Sequence, residues 1–238
     1  MKKIGLFLLS TTGLFMLQKA QIHAQGVDFS IGGDIVSSYV WRGSLLSNAS
    51  VQPAMGAYYK GFSLSAWGSV DVTGGDYGDY KEVDFTAAYE TGGLSLAVTD
   101  YWCSAERTYN YFHYGAHDTQ HFFEGTAGYT LPWDKFPLTL VWNMVFAGAD
   151  YYSEGGGRSY STYIEASYPF SIKTVDLELS MGLTPWEGMY AGDFAVVSIG
   201  LKAAGKIKIT DSFSLPVFGR LLANPKTEDM FFVFGVKL

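Results

Sequence analysis

Three histidines recur every fourth residue, His113, His117 and His121, with Asp118 and Glu124 nearby. On a helix that spacing would place the imidazoles on one face, where they could ligate a transition metal. The segment is rich in Tyr and Gly and poor in helix formers. The sequence therefore predicts a solvated loop there, with no bound metal and no cofactor. Nucleophilic catalysis would need a Ser within reach of a His. The fourth histidine, His23, falls in the leader described below, so every histidine beyond it lies in or beside one loop. No Gly-x-Ser-x-Gly elbow occurs, which disfavours a lipid-modifying enzyme.

The charges form a larger pattern. Acidic residues fall at Asp28, Asp34, Asp71, Glu82, Asp84, Glu90, Glu124, Glu165, Asp176 and Glu178, mostly with apolar residues on either side. Basic residues at Arg42, Lys60, Lys202, Lys206, Lys208, Arg220 and Lys237 follow the same rule. Successive side chains of a strand point to opposite faces, so one face is apolar and the other charged. Two readings follow. One is a polar lumen whose opposed charges orient a passing solute; the other is a plugged barrel whose inward charges pair with one another.

The elements that would position these residues are strands. A first strand is predicted over residues 27–42, with Val27, Phe29, Ile31, Ile35, Tyr39 and Trp41 on its apolar face. Residues 43–50 read as a loop, and Lys60-Gly61 and Thr91-Gly92-Gly93 as tight turns. Continuing in this way gives about twelve strands, joined alternately by short turns and longer loops. The longest loop runs over residues 102–120. An even count with that rhythm fits a single closed antiparallel transmembrane β-barrel with short periplasmic turns and longer extracellular loops. Aromatics near the strand ends, including Tyr39, Trp41, Tyr59, Phe62, Tyr89, Trp133, Tyr168, Phe170 and Phe213, suit interfacial girdles. Pro216 falls inside the eleventh strand, where it removes a ladder donor, so a bulge is expected there.

Targeting agrees with export. Lys2 and Lys3 precede an apolar run over residues 4–17, and Ile22-His23-Ala24 offers a cleavage site. Residues 1–24 thus read as a signal peptide and 25–238 as the barrel. Losing Lys2, Lys3 and Lys19 with the leader moves the formal charge from −7 to −10. An acidic chain is a poor match to nucleic acid. The single Cys103 excludes an intramolecular disulfide framework.

Residues 230–238 close the pattern, with Met230, Phe232, Phe234, Val236 and Leu238 on one face. A closed barrel needs such a strand to pair with the first and leave no free edge. The stretch also resembles the C-terminal signal read by outer-membrane assembly machinery, with Leu238 where Phe is usual. Four further motifs carry a family likeness: Ser37-Ser38-Tyr39-Val40-Trp41-Arg42-Gly43, Gln52-Pro53, Gly61-Phe62-Ser63-Leu64-Ser65-Ala66-Trp67-Gly68-Ser69 and Glu82-Val83-Asp84-Phe85. Together they resemble the TorF-type porin family over about the first four strands. The resemblance implies an outer-membrane barrel of porin type and no particular solute.

The sequence reading is thus an outer-membrane channel for passive diffusion of small polar solutes. Its acidic excess favours cations or neutral molecules such as short sugars. The alternative is a plugged surface barrel with a binding or structural role. Expected partners are outer-membrane lipid and the assembly machinery. The lumen-lining set is Asp28, Asp34, Arg42, Asp71, Glu82, Asp84, Glu124, Glu165, Asp176, Glu178, Lys202 and Arg220. Tyr109, Tyr111, Phe112 and Tyr114, on the longest loop, are the expected constriction.

Overall fold

The alternating pattern becomes twelve antiparallel strands in the computed structural model, which describes residues 22–24, 26–74, 80–104, 110–115, 117–152 and 156–238. They are β1 (Val27–Val36), β2 (Ser50–Tyr59), β3 (Phe62–Asp71), β4 (Lys81–Thr91), β5 (Leu94–Ser104), β6 (His121–Thr130), β7 (Thr139–Gly148), β8 (Thr162–Ile172), β9 (Val175–Thr184), β10 (Ala195–Lys208), β11 (Ser214–Asn224) and β12 (Asp229–Lys237). Each pairs with its neighbours in sequence, and β12 pairs with β1, so the sheet closes. Closure satisfies the backbone of every strand within the wall, which is the condition for crossing a bilayer with strands. The fold is a closed transmembrane-type β-barrel.

The wall is apolar outside and polar inside. Leu64, Met55 and Phe232 are 66%, 57% and 70% exposed on the outer face, while Ser69, Glu124 and Glu165 are buried within. Leu140, Trp142, Leu179 and Ile199 are also exposed outward, and Leu177 is half-exposed on the same face of β9. This arrangement makes a sharp test of register. Arg on the outer face near the bilayer midplane costs about 2–4 kcal/mol, whereas inward positions are forgiving. Leu179→Arg should therefore lower the heat-modifiable, assembled fraction on a detergent gel far more than Glu178→Arg; equal losses would mean the two faces are exchanged.

Short turns gather at one end and long loops at the other. Lys60 and Gly61 take φ of 48° and 87°, and Gly92 and Gly93 take 54° and 88°. Positive φ at both central residues is the signature of the two-residue turn whose twist matches a hairpin. Strands β8 and β9 run further than expected and meet at Lys173, also at positive φ (57°). No register shift occurs at Pro216, contrary to the expected bulge. Pairing with β10 runs straight through it, but pairing with β12 begins only at Val217. A missing N–H is tolerated where one side of a strand is unpaired. Register shifts in the wall lie at Val145/Ala147 and at Gly182/Leu183 among the described residues.

The first strand departs most from expectation. It ends at Val36 rather than continuing to residue 42. Tyr39–Trp41 and Ser44–Ser47 then form a small hairpin of their own, within the stretch expected to be strand end and loop. Tyr39 and Trp41 are thus no part of an outer girdle. Val40 is buried in one apolar cluster with Val36, Phe218, Leu222 and Val233, which places the hairpin inside the barrel. The leader reading lies largely outside the described residues. Ile22–Ala24 is described and pairs with the start of β1, and cleavage after Ala24 would remove that pairing.

Candidate functional site: a latched hairpin in the lumen

The hairpin turns at Arg42-Gly43, whose φ values are 47° and 85°. A β-carbon on Gly43 would fall 1.8 Å from the Val197 carbonyl oxygen. Both the turn and the close approach to β10 therefore demand glycine there. The Gly43 carbonyl accepts a hydrogen bond from the Asn224 side chain of β11 (3.1 Å).

Arg42 is the centre of the site. Its Nη1 and Nη2 donate to the two carboxylate oxygens of Glu124 on β6, at 2.5 and 2.8 Å. Nη1 also meets the hydroxyl of Tyr190, from the loop between β9 and β10. The guanidinium lies 4.4 Å from the ring centre of Trp41, 4.8 Å from that of Tyr163 and 5.5 Å from that of Tyr190. Tyr101 of β5 donates to the same Glu124 carboxylate (3.1 Å) and sits beside Trp41. The Arg42 and Glu124 side chains are 0% and 1% exposed. Burial works against the Arg42 charge, but Glu124 and the neighbouring Tyr190 and Tyr101 together more than offset it and hold the guanidinium protonated. Burial also pushes the Tyr190 hydroxyl above its ordinary range, so it remains a neutral phenol. A fork-to-fork ion pair sandwiched by aromatic faces is the strongest form that such a contact takes.

At its other side the hairpin leans Tyr39 against Trp67 of β3 and near Tyr80. It thus touches β3, β5, β6, β8, β10 and β11, crossing the lumen. Tyr39, Trp41, Gly43, Tyr101, Tyr163, Tyr190 and Asn224 all escaped the sequence reading of the site.

The remaining inward charges are distributed around this plug. Glu82 accepts from Tyr80 (2.8 Å), and Asp84, also on β4, keeps Oδ1 buried without a partner among the described residues. Glu165 accepts from Tyr163 (2.9 Å). Glu178, Lys202 and Arg220 sit side by side across β9, β10 and β11, and Asp34 is opposite Lys237. Asp28 is half-buried near the short-turn end, and Asp176 is exposed there, accepting from Ser171 (2.9 Å). Asp71 does a different job: it accepts from Asn48 N (2.9 Å) and Thr73 N (2.7 Å), tying two loops together. The acidic Glu82, Asp84 and Glu124 come from one arc of the wall and the basic Lys202, Arg220 and Lys237 from another.

The described residues of the long loop fold against the outer wall rather than into the lumen, where the constriction was expected. Leu94, Leu96 and Val98 of β5 are exposed outward, and strand alternation carries Asp100 and Trp102 to that same face. His121 lies opposite Trp102 in the β5–β6 register. Tyr111 packs against Trp102, His121 and the outward Phe85, and Tyr114 stacks on His121 at 4.2 Å. Tyr111 and Tyr114 therefore cover the outer wall, and Phe112 beside them is 88% exposed. Tyr109 lies outside the described residues. The three histidines diverge. His113 pairs with Asp118 (3.0 Å) in solvent, and His117 stacks near Tyr151. His121 is fully buried, its Nδ1 2.7 Å from Asp100 Oδ1 and its Nε2 2.6 Å from the Tyr111 carbonyl. The segment is thus a docked flap rather than a freely solvated loop.

These features define a membrane β-barrel with an internal plug. No family model and no curated protein matches the chain. Among solved structures it is similar to the outer membrane protein OprD from Pseudomonas aeruginosa, with 15% identity and a TM-score of 0.37. The match covers 91% of this chain and 66% of that one.

Proposed function

We propose that the chain is an outer-membrane, porin-type barrel that passes small polar solutes by diffusion, with the hairpin at residues 37–49 setting the width of the path. The supporting observation is the latch itself. A hairpin latched across a charged lumen at its tip by one ion pair, its aromatic neighbours and the Asn224–Gly43 hydrogen bond is a separate element that can move, unlike an interior filled by wall side chains. The acidic excess favours cations and neutral molecules such as short sugars. Outer-membrane lipid is the partner of the apolar wall, and the assembly machinery that of residues 230–238. The motif likeness to the TorF-type porins points the same way. Against the hydrolase alternative, the buried His121 has both ring nitrogens engaged, by Asp100 and the Tyr111 carbonyl, with no serine hydroxyl among those partners.

A second reading draws on the same hairpin: it crosses the lumen and leaves the latch fully buried, as in a non-transporting barrel. Planar-bilayer recording separates the two. Intact protein should show small, intermittent openings, and a variant with residues 38–48 replaced by a short Gly-Ser linker should show a larger, steady, cation-favouring conductance. Intact protein that stays silent while the shortened variant conducts would establish the plugged barrel.

A further inference from the structure

The latch has the form of a ligand site occupied by the chain's own side chain. Glu124 presents two carboxylate oxygens to the two terminal nitrogens of the guanidinium, Tyr101 holds that carboxylate, Tyr190 supplies a hydroxyl to Nη1, and Trp41, Tyr163 and Tyr190 supply rings. All but Trp41 and Arg42 belong to the barrel wall or to the loop between β9 and β10, so most of the cage stays when the hairpin leaves.

We infer that this cage is a guanidinium-binding site, filled in the closed state by Arg42, and that a small solute bearing a guanidinium group displaces Arg42 and frees the hairpin. Two observations argue for displacement. Arg42 is a non-glycine residue at positive φ (47°), a backbone conformation that costs energy to hold. Its Nε is also buried without a partner among the described residues, so the resident group leaves one donor unsatisfied. A free guanidinium carries no backbone strain and can turn within the cage to seek a partner for that donor. The tether favours the resident, since a covalently linked group acts at an effective concentration of about millimolar. The competing solute is therefore needed at millimolar levels. A planar fork is required for the bidentate contact and the stacking, so an ammonium of similar size should compete poorly.

Only the last of the following measurements rests on the channel reading. Ethylguanidinium and ethylammonium are titrated calorimetrically into refolded Arg42→Ala barrel in detergent, after heat-modifiable mobility has verified assembly. Ethylguanidinium should bind at one site roughly tenfold tighter than ethylammonium, and the added change Glu124→Gln should abolish the difference. Should Arg42→Ala fail to assemble, hydrogen exchange of residues 37–49 in the wild-type barrel decides instead. Exchange should rise with millimolar ethylguanidinium and not with ethylammonium. Equal or absent binding by assembled Arg42→Ala, or exchange that neither ion alters, would overturn the site. Ethylguanidinium should also lengthen the openings of wild-type channels. Binding without any conductance would leave the site standing and remove the porin reading.

Discussion

Glu124→Leu will be the most damaging single change in the lumen. It leaves the Arg42 guanidinium buried, with its carboxylate gone and aromatic rings on three sides. Removing one partner of a buried ion pair typically costs about 3–5 kcal/mol, because the surviving charge is stranded away from water. The hairpin has a way to avoid that cost, which is to swing Arg42 out to solvent. The expected result is an assembled but leaky barrel, with steady conductance and faster hydrogen exchange over residues 37–49. The double change Arg42→Met/Glu124→Leu removes both charges and should be much milder. Hydrophobic replacement of a whole buried pair is often neutral or stabilising. A coupling near zero in the double-mutant cycle would mean that the hairpin is held by its apolar root rather than its tip.

The second large effect is expected on the outside of the wall. Two acceptors flank His121, the Asp100 carboxylate on the wall and the Tyr111 carbonyl on the flap, so the ring ties one to the other. His121→Ala removes both contacts and leaves the Asp100 carboxylate beneath the flap on a face built for lipid. A loss of about 3–5 kcal/mol is expected, by the same reasoning about a stranded charge. It would be read as a lower thermal unfolding midpoint in detergent and as protease sensitivity of residues 110–120. Asp100→Leu together with His121→Leu should restore most of the midpoint. If His121→Ala alone proved neutral, the flap would be held by its rings and the His121 hydrogen bonds would be incidental.

How much of this was legible in the sequence follows from periodicity. The period-two signal is carried by every strand, so the barrel, its strand count and the sidedness of residues such as Leu179 and Glu178 could be read directly. The hairpin could not, because Tyr39, Val40 and Trp41 continue the apolar pattern of β1 and nothing in alternation marks the bend at Ser37. One cue was present. Arg42-Gly43 is the same kind of dipeptide as Lys60-Gly61, read from sequence as a tight turn, and both pairs take positive φ. The flap was misplaced for another reason. A loop's composition does not say on which side of the wall it folds, and only the outward parity of Asp100 and His121 decides it. Cage members such as Tyr163 and Tyr190 come from distant stretches that meet only when the barrel closes.

The inward hairpin also bears on the barrel's weakest seam. β1 and β12 are paired only over Asp34–Lys237, Ile35–Val236 and Val36–Gly235, with flanking bonds from Ser37 N to Phe234 O (2.9 Å) and from Leu238 N to Gly33 O (2.8 Å). The other neighbouring strands are zipped over longer registers. Val40 leaves the end of β1, crosses behind this join and packs with Phe218, Leu222 and Val233 of β11 and β12. The hairpin root therefore works as an internal clasp, fastening the first strand to the last two from within. Its tip and root divide the labour: Arg42 latches the hairpin across the lumen, while Val40 fastens the seam.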